Sequence, residues 1–186
     1  MSTTEIMSEA RDHMDKTVKS LAHEFSTVRT GRASGAILED IRIDYYGTPT
    51  PITQIAGIKT PEPQLLVIEP WDKTALKTIE HALQASDLGI TPSNDGSVIR
   101  LPFPPLTEER RKELVKQCKH YAEEARVAVR NIRRDANGKL ERAEKDAEIS
   151  EDDMRRQEAE IQKLTDAHVA QIDEALKRKE AEIMEV

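Results

Sequence analysis

The chain has 186 residues, a net charge of −7, 34% charged residues and 3% aromatic residues. A mixture so rich in charge and poor in aromatics, with Ala, Leu, Glu, Lys and Arg abundant, points to long amphipathic helices rather than a thick globular core. It argues against a membrane protein, because no apolar run exceeds about five residues where a spanning helix needs ~20, and the single cysteine, Cys118, excludes an internal disulfide framework.

The amino terminus, MSTTEIMSEARDHMDK, has no apolar signal core, so a cytoplasmic location is expected. From there Met7, Ala10, Met14, Val18, Leu21, Phe25 and Val28 recur at spacings of three and four, which predicts a first helix. All nine prolines then fall between Pro49 and Pro105, and all glycines but Gly138 fall between Gly31 and Gly96. This middle block reads as an insertion. It holds β-like alternation at Ile41, Ile43 and Tyr45, a buried-strand run from Leu65 to Glu69, a helix near Lys73 to Ser86 and a strand at Ser97 to Leu101.

Beyond it, Leu114, Cys118, Tyr121, Ala125, Val129, Ile132, Ala136, Leu140, Ala143 and Ala147 predict a second helix from Thr107 to Ala147, about 60 Å long. Thr107 is its N-cap, followed by Glu108 and Glu109 at the positive end of the helix dipole. Asn137-Gly138 reads as an interior dipeptide rather than a turn, because Leu140, Ala143 and Ala147 stay in phase with the preceding stripe. Ser150 opens a third helix whose stripe includes Met154, Ile161, Leu164, Ile172, Leu176 and Ile183.

Three apolar stripes and a short connection at 147–150 predict an α+β molecule: a long antiparallel three-helix bundle with a small inserted α/β domain, β-sandwich-like with one helix. The expected bundle domain is 1–30 with 105–186, and the inserted domain is 31–104. Hinges are expected near 30–35 and 101–105, at Thr30, Gly31, Gly35, Pro104 and Pro105.

No catalytic pattern emerges. The chain lacks GxGxxG, a P-loop lysine, GxSxG and HExxH, and its five histidines are scattered without metal-ligand spacing. Cys118 falls within the apolar stripe as a small core residue. Tyr45-Tyr46-Gly47 reads as a strand end entering a turn, and Trp71 as a packing anchor.

The arginines stand apart. Arg126, Arg130 and Arg133 each follow a core position by one residue, and Arg134 extends the ridge. Between Arg126 and Arg142 the bases at 126, 130, 133, 134, 139 and 142 face only Asp135 and Glu141, whereas the third helix is predominantly acidic. Pairing across to that helix would be the ordinary bundle-flank arrangement. Such surface pairs stabilise by only ~0.5 kcal/mol each and would accept lysine, whereas arginine at all four positions favours planar phosphate acceptors. Single-strand readers stack bases on aromatic rings, which these helices lack outside their core stripes, so the favoured partner is folded RNA read through backbone and shape. Arg29 would neutralise the end of the first helix, with Gly31 as its C-terminal glycine, and also stands among the candidate RNA-binding arginines. Arg32, Arg110 and Arg111 either extend the basic strip or form salt bridges. A competing reading is a structural or adaptor protein whose helices pair with a partner coiled coil.

The runs RTGRAS (29–34), YYGTPTPI (45–52), SDLGITPSNDGSVIR (86–100), PPLTEERRKEL (104–114) and ARVAVRNIRRDAN (125–137) closely resemble bacterial ribosome recycling factors across essentially the whole chain. The resemblance implies an L-shaped molecule of roughly tRNA dimensions. It also implies a translation factor that binds the post-termination ribosome and splits it with elongation factor G and GTP, releasing messenger RNA and tRNA. The factor would be no enzyme, would need no cofactor, metal or small-molecule substrate, and would be monomeric. It would lie on large-subunit ribosomal RNA through Arg32, Arg130 and Arg133. Where many members carry proline after the RTGRAS-type run, this chain has Gly35, which would loosen the first tether.

Overall fold

In the computed structural model, which describes residues 1–185, the chain forms two compact units. One comprises Met1–Phe25 with Lys116–Glu180, and the other comprises Ser26–Val115 with the segment from Ala181 onward. The second unit thus takes in more than the middle block, including the buried side chains of Val28, Leu106 and Leu114. Among the described residues there are four α-helices: α1 (Thr3–Ser26), α2 (Leu76–Ala85), α3 (Glu108–Lys145) and α4 (Glu151–Met184).

The first unit is helical, and its helix ends are built from local hydrogen bonds. At the start of α1 the Glu5 N–H donates to Ser2 Oγ at 3.1 Å while the Ser2 N–H donates to Glu5 Oε2 at 2.7 Å. This reciprocal cap satisfies donors that an isolated helix end leaves open. Ser150 caps α4 by accepting from the Asp153 N–H at 3.0 Å. Helix α3 runs unbroken through Asn137-Gly138. It stops where Ala147 enters the left-handed region at φ 56°. There the Ala147 N–H donates to Glu144 O and the Glu148 N–H to Ala143 O, both at 2.9 Å. Those two bonds form a Schellman closure with alanine in the position that glycine usually fills.

Cross-helix contacts give the directions. Lys139 of α3 bonds Glu9 of α1 at 2.8 Å, and Arg126 of α3 pairs with Asp173 of α4 at 2.7 Å. On α4, His168 Nε2 lies 2.6 Å from Asp15 Oδ1 of α1, and Ile161 clusters with Ile6 and Leu140. Hence α3 runs antiparallel to both α1 and α4, the up-down-up arrangement of a three-helix bundle. Met14, Cys118, Ala122, Val129, Leu140, Ile161 and Ile172 are fully excluded from solvent. Burial pushes the Cys118 thiol up to about 11. The seam of α4 is more polar than an apolar stripe suggests. Thr165 and His168 are buried, with Thr165 Oγ1 donating to Ile161 O at 2.8 Å, whereas Leu164 is only partly buried.

The second unit carries six strands, all paired antiparallel: β1 (Arg42–Tyr45), β2 (Thr48–Pro51), β3 (Ala56–Glu62), β4 (Leu65–Pro70), β5 (Ser93–Asn94) and β6 (Ile99–Pro102). β1 and β2 form a hairpin, and the others form a sheet in the order β3-β4-β6-β5. Strand β3 lies at the sheet edge, where Pro61 removes no ladder bond and the register slips between Lys59 and Glu62. Leu66, Ile68, Ile99 and Leu101 bury one face of the sheet in a core shared with Ile79 and Leu83 of α2 and with Phe103.

Two expectations need correcting here. The segment Leu101 to Pro105, read as a tether, begins inside the sheet: Leu101 belongs to β6, Phe103 is 1% exposed, and the Phe103 N–H donates to Gln64 O at 2.7 Å. Trp71 is no packing anchor, being 71% exposed. It continues the outward phase of Leu65, Val67 and Glu69, while Leu66, Ile68 and Pro70 point inward.

Candidate nucleic-acid interface

The basic ridge of α3 is neutralised unevenly along its length. Arg126 donates from Nε to Asp173 Oδ1 at 2.8 Å and from Nη1 to Glu123 Oε2 at 3.0 Å. Its side chain is only 19% exposed. Burial lowers its pKa, but the hydrogen bonds it donates to Asp173 and Glu123 outweigh that and raise it. Arg126 is therefore a strut between α3 and α4, with its guanidinium already held by two carboxylates. The acid that completes it, Glu123, stands one turn before the segment in which acids are scarce.

Neutralisation fades toward the carboxyl end. Arg130 lies 3.6 Å from the other oxygen of Glu123 and is 41% exposed. Arg133 donates to the neutral amide oxygen of Gln162 at 3.4 Å, and Gln162 in turn donates to Asp166 at 2.9 Å. Exposed Arg134 donates to Asn131 Oδ1 at 3.2 Å. An amide orients a guanidinium without cancelling its charge, so Arg133 and Arg134 keep a field that Arg126 has lost. One turn further on, Lys139 is again committed: its hydrogen bonds to Glu9 and Asp135 raise its pKa.

A second arginine group sits where the second unit's connecting segments converge. Helix α1 ends at Ser26, and Gly31 does not adopt a positive φ, so Gly31 is not a helix-terminating glycine and Arg29 does not sit on the last turn. Arg29 instead donates from Nη2 to Pro104 O and places its guanidinium 5.5 Å from the Phe103 ring centroid. Its pKa is lowered by burial first and by neighbouring Arg110 second. Arg110 pairs with Glu113 at 2.9 Å, and Arg32 reaches Glu185 at 3.5 Å with 75% of its side chain exposed. Arg32 and Arg111 line a pocket of about 470 Å³ with Thr30, Gly31, Glu182 and Glu185, and Pro105 also borders it. Thr30 Oγ1 accepts from the Arg32 N–H at 3.3 Å. Gly35 opens a short 3₁₀ turn capped by Ser34, and a Cβ there would stand 3.1 Å from Ile58 Cγ2. The absent proline leaves a closely packed glycine at that position.

One constellation escaped the sequence reading. Asp72, directly after Trp71, accepts from the Thr74 N–H at 2.9 Å, Thr74 Oγ1 at 2.6 Å, Tyr46 OH at 2.9 Å and Tyr45 OH at 3.3 Å. The Thr74 side chain, then its backbone, then Tyr46 hold the Asp72 carboxyl below its usual range. The available signal was the spacing Asp72-x-Thr74 ahead of a helix, the pattern of a carboxylate capping its own turn. Among the described residues no three His, Cys, Asp or Glu side chains gather as a metal site. No described helix is long and apolar enough to cross a membrane.

These features define an α+β protein made of a three-helix bundle and a small antiparallel-sheet unit, with charged guanidiniums gathered on one long helix. The chain belongs to the ribosome recycling factor family, whose model matches residues 21–184. It is 57% identical over 182 residues to the ribosome-recycling factor of Geobacillus kaustophilus and 58% identical over 182 residues to that of Carboxydothermus hydrogenoformans, each match covering 98% of both chains. Among solved structures it resembles a solution structure of the ribosome recycling factor, with TM-score 0.81 and 42% identity over 100% of this chain and 99% of that one. It also resembles a chain, at TM-score 0.70 and 48% identity over the full length of both, from models of the T. thermophilus ribosome recycling factor and the E. coli elongation factor G bound to the E. coli post-termination complex. The family places the chain in protein biosynthesis, among proteins that bind and recycle ribosomes.

Proposed function

We propose that this chain binds the post-termination ribosome through large-subunit ribosomal RNA and, with elongation factor G and GTP, splits it into subunits so that messenger RNA and tRNA leave. The observation that carries the RNA contact is the amide-held pair Arg133 and Arg134, oriented by Gln162 and Asn131 rather than by carboxylates. Two planar cations at one end of a ridge suit phosphate oxygens, while the acidic remainder of the molecule enforces one orientation on the RNA. Arg130 supports them, with Arg32, Arg110 and Arg111 as a second contact group. The chain acts as a cytoplasmic monomer without chemistry of its own, and the nucleotide is hydrolysed by the elongation factor. Residues 31–104 move as a domain relative to 1–30 and 105–186, turning about Thr30, Gly31 and the Pro104-Pro105 pair.

The coiled-coil adaptor reading requires a continuous exposed apolar seam. Among the described residues the exposed large apolar side chains of the long helices are Val127 and Met184, which form no such seam.

The test is co-sedimentation with post-termination ribosomes across a salt series, followed by subunit splitting with and without elongation factor G and GTP. Affinity should fall with salt at a log–log slope of about −0.7 to −0.9 per phosphate engaged. Salt-insensitive binding, or splitting indifferent to the chain, refutes the reading.

A further inference from the structure

The α3–α4 seam repeats at an interval of seven residues, and the repeat breaks at one place. Arg126 of α3 reaches Asp173 of α4 at 2.7 Å. Because the two helices run antiparallel, one heptad forward on α3 corresponds to one heptad back on α4, so the counterparts of this pair are Arg133 and Asp166. An ion pair is therefore the default at the second level too. The structure holds a different arrangement. Asp166 Oδ1 accepts from Gln162 Nε2 at 2.9 Å, and Gln162 Oε1 accepts from Arg133 Nη1 at 3.4 Å. An amide stands between the two charges.

Its direction is imposed. A carboxylate accepts and a guanidinium only donates, so an amide bridging them turns its NH2 to Asp166 and its oxygen to Arg133. Gln162 lies one turn before Asp166 on α4, and the residue in the same place before Asp173 is Val169, which offers no side-chain hydrogen bond. Arg126 is held also by Glu123, three residues earlier on α3, at 3.0 Å, whereas the residue three before Arg133 is Arg130. Two differences thus separate one heptad from the next: glutamine replaces valine on α4, and arginine replaces glutamate on α3. Both leave the second guanidinium with less of its charge compensated. Gln162 and Asp166 are exposed, so neither is there to fill the core.

We propose that Gln162 is a positioning residue for RNA binding: its amide occupies Asp166, keeps that carboxylate from capturing Arg133, and leaves the guanidinium oriented for phosphate. This rests on the proposed function and gives α4 a part in it, although α4 itself is predominantly acidic.

The test is ribosome co-sedimentation of the full chain and a set of variants across a salt series. Gln162→Val rebuilds around Arg133 the surroundings that Val169 gives Arg126. Its affinity should fall about 10-fold, with a log–log salt slope shallower by up to about 0.7–0.9, the contribution of one phosphate. Adding Asp166→Asn removes the captor and should restore affinity to within about 2-fold of the parent, whereas a packing fault at 162 is not repaired by a change at 166. In an Arg133→Ala background, Gln162→Val should change affinity by less than about 2-fold, since the guanidinium it governs is gone. Gln162→Val that binds like the parent overturns the proposal. So does a loss that Asp166→Asn fails to restore, or one that persists without Arg133. If Arg133→Ala itself binds like the parent, the RNA contact of the proposed function fails. That outcome is distinct from a silent Gln162→Val beside a damaging Arg133→Ala, which sinks this inference alone.

Discussion

The helical unit and the sheet unit expose different chemistry for different reasons. On α3 the exposed groups are cations, and each one's availability depends on what faces it across the bundle: Arg126 meets two carboxylates, whereas Arg133 meets an amide. On the sheet unit the exposed groups are aromatic, and they stay out because strand alternation and a turn give them nowhere inward to go. A long helix tolerates graded roles along one face, since each turn has its own neighbours. A short hairpin admits no gradient, so its exposed residue is either accidental or selected.

The largest expected effect separates the two units directly. Phe103→Ala empties a site that is 1% exposed in the sheet-unit core and should destabilise that unit by about 3–5 kcal/mol. Fluorescence of Trp71, the sole tryptophan, should register the loss in urea, while the helical signal in far-ultraviolet dichroism keeps its midpoint. Coincident shifts of both signals would make the molecule one cooperative system and break the comparison.

The next contrast lies within α3. Arg133→Ala should weaken ribosome binding by about 1–3 kcal/mol and leave the melting temperature nearly unchanged. Arg126→Ala should do the reverse, lowering bundle stability by about 1–2 kcal/mol with little change in ribosome affinity. Equal losses of ribosome affinity in the two variants would show that Asp173 and Glu123 release Arg126 on binding.

A smaller effect follows from Cys118. Its thiol keeps its proton up to about 11 in the folded chain against 9.0 for an ordinary thiol. The unfolded chain therefore holds fewer protons between those values, and stability falls as pH rises through that window. Cys118→Ala should lose this component of the pH dependence, read as a flatter difference curve in urea titrations.

The smallest pair exchanges two residues that local physics would have placed otherwise. Gly138 lies in the interior of α3, and beyond its own turn of backbone no atom stands within 4 Å of the place a Cβ would occupy, so Gly138→Ala should stabilise by about 1 kcal/mol. Ala147 carries a φ of 56° at the helix stop, so Ala147→Gly should stabilise by a similar amount. Calorimetry on the single and double variants tests both, and the two gains should add.

The helices were legible because their stripes repeat over many turns. Thr107 and Ser150 cap where they were expected, through hydrogen bonds to the Arg110 and Asp153 N–H groups, and α3 does continue through Gly138. The cap at Ser2 also has a signal, Ser-x-x-Glu, which lies ahead of the apolar stripe and is easily passed over. Polar members of the α4 seam were harder. Thr165 and His168 are buried because particular acceptors await them, Ile161 O and Asp15, and periodicity in apolar residues does not register such partners. Strand β3 was missed because its Gly57 and Pro61 resemble loop punctuation, although pairing with β4 makes it an edge strand. On the candidate site, spacing located the ridge but could not rank its arginines, since ranking depends on Glu123, Asp173 and Gln162 brought near by folding.

Exposed Tyr46, between β1 and β2, carries a φ of 51° ahead of Gly47 at 83°, and that left-handed backbone has an evolutionary corollary. A mutant library sorted only by heat resistance should discard this tyrosine early, in favour of asparagine or glycine. The same library sorted by bacterial growth should retain it, so that the two lineages diverge first at this one codon.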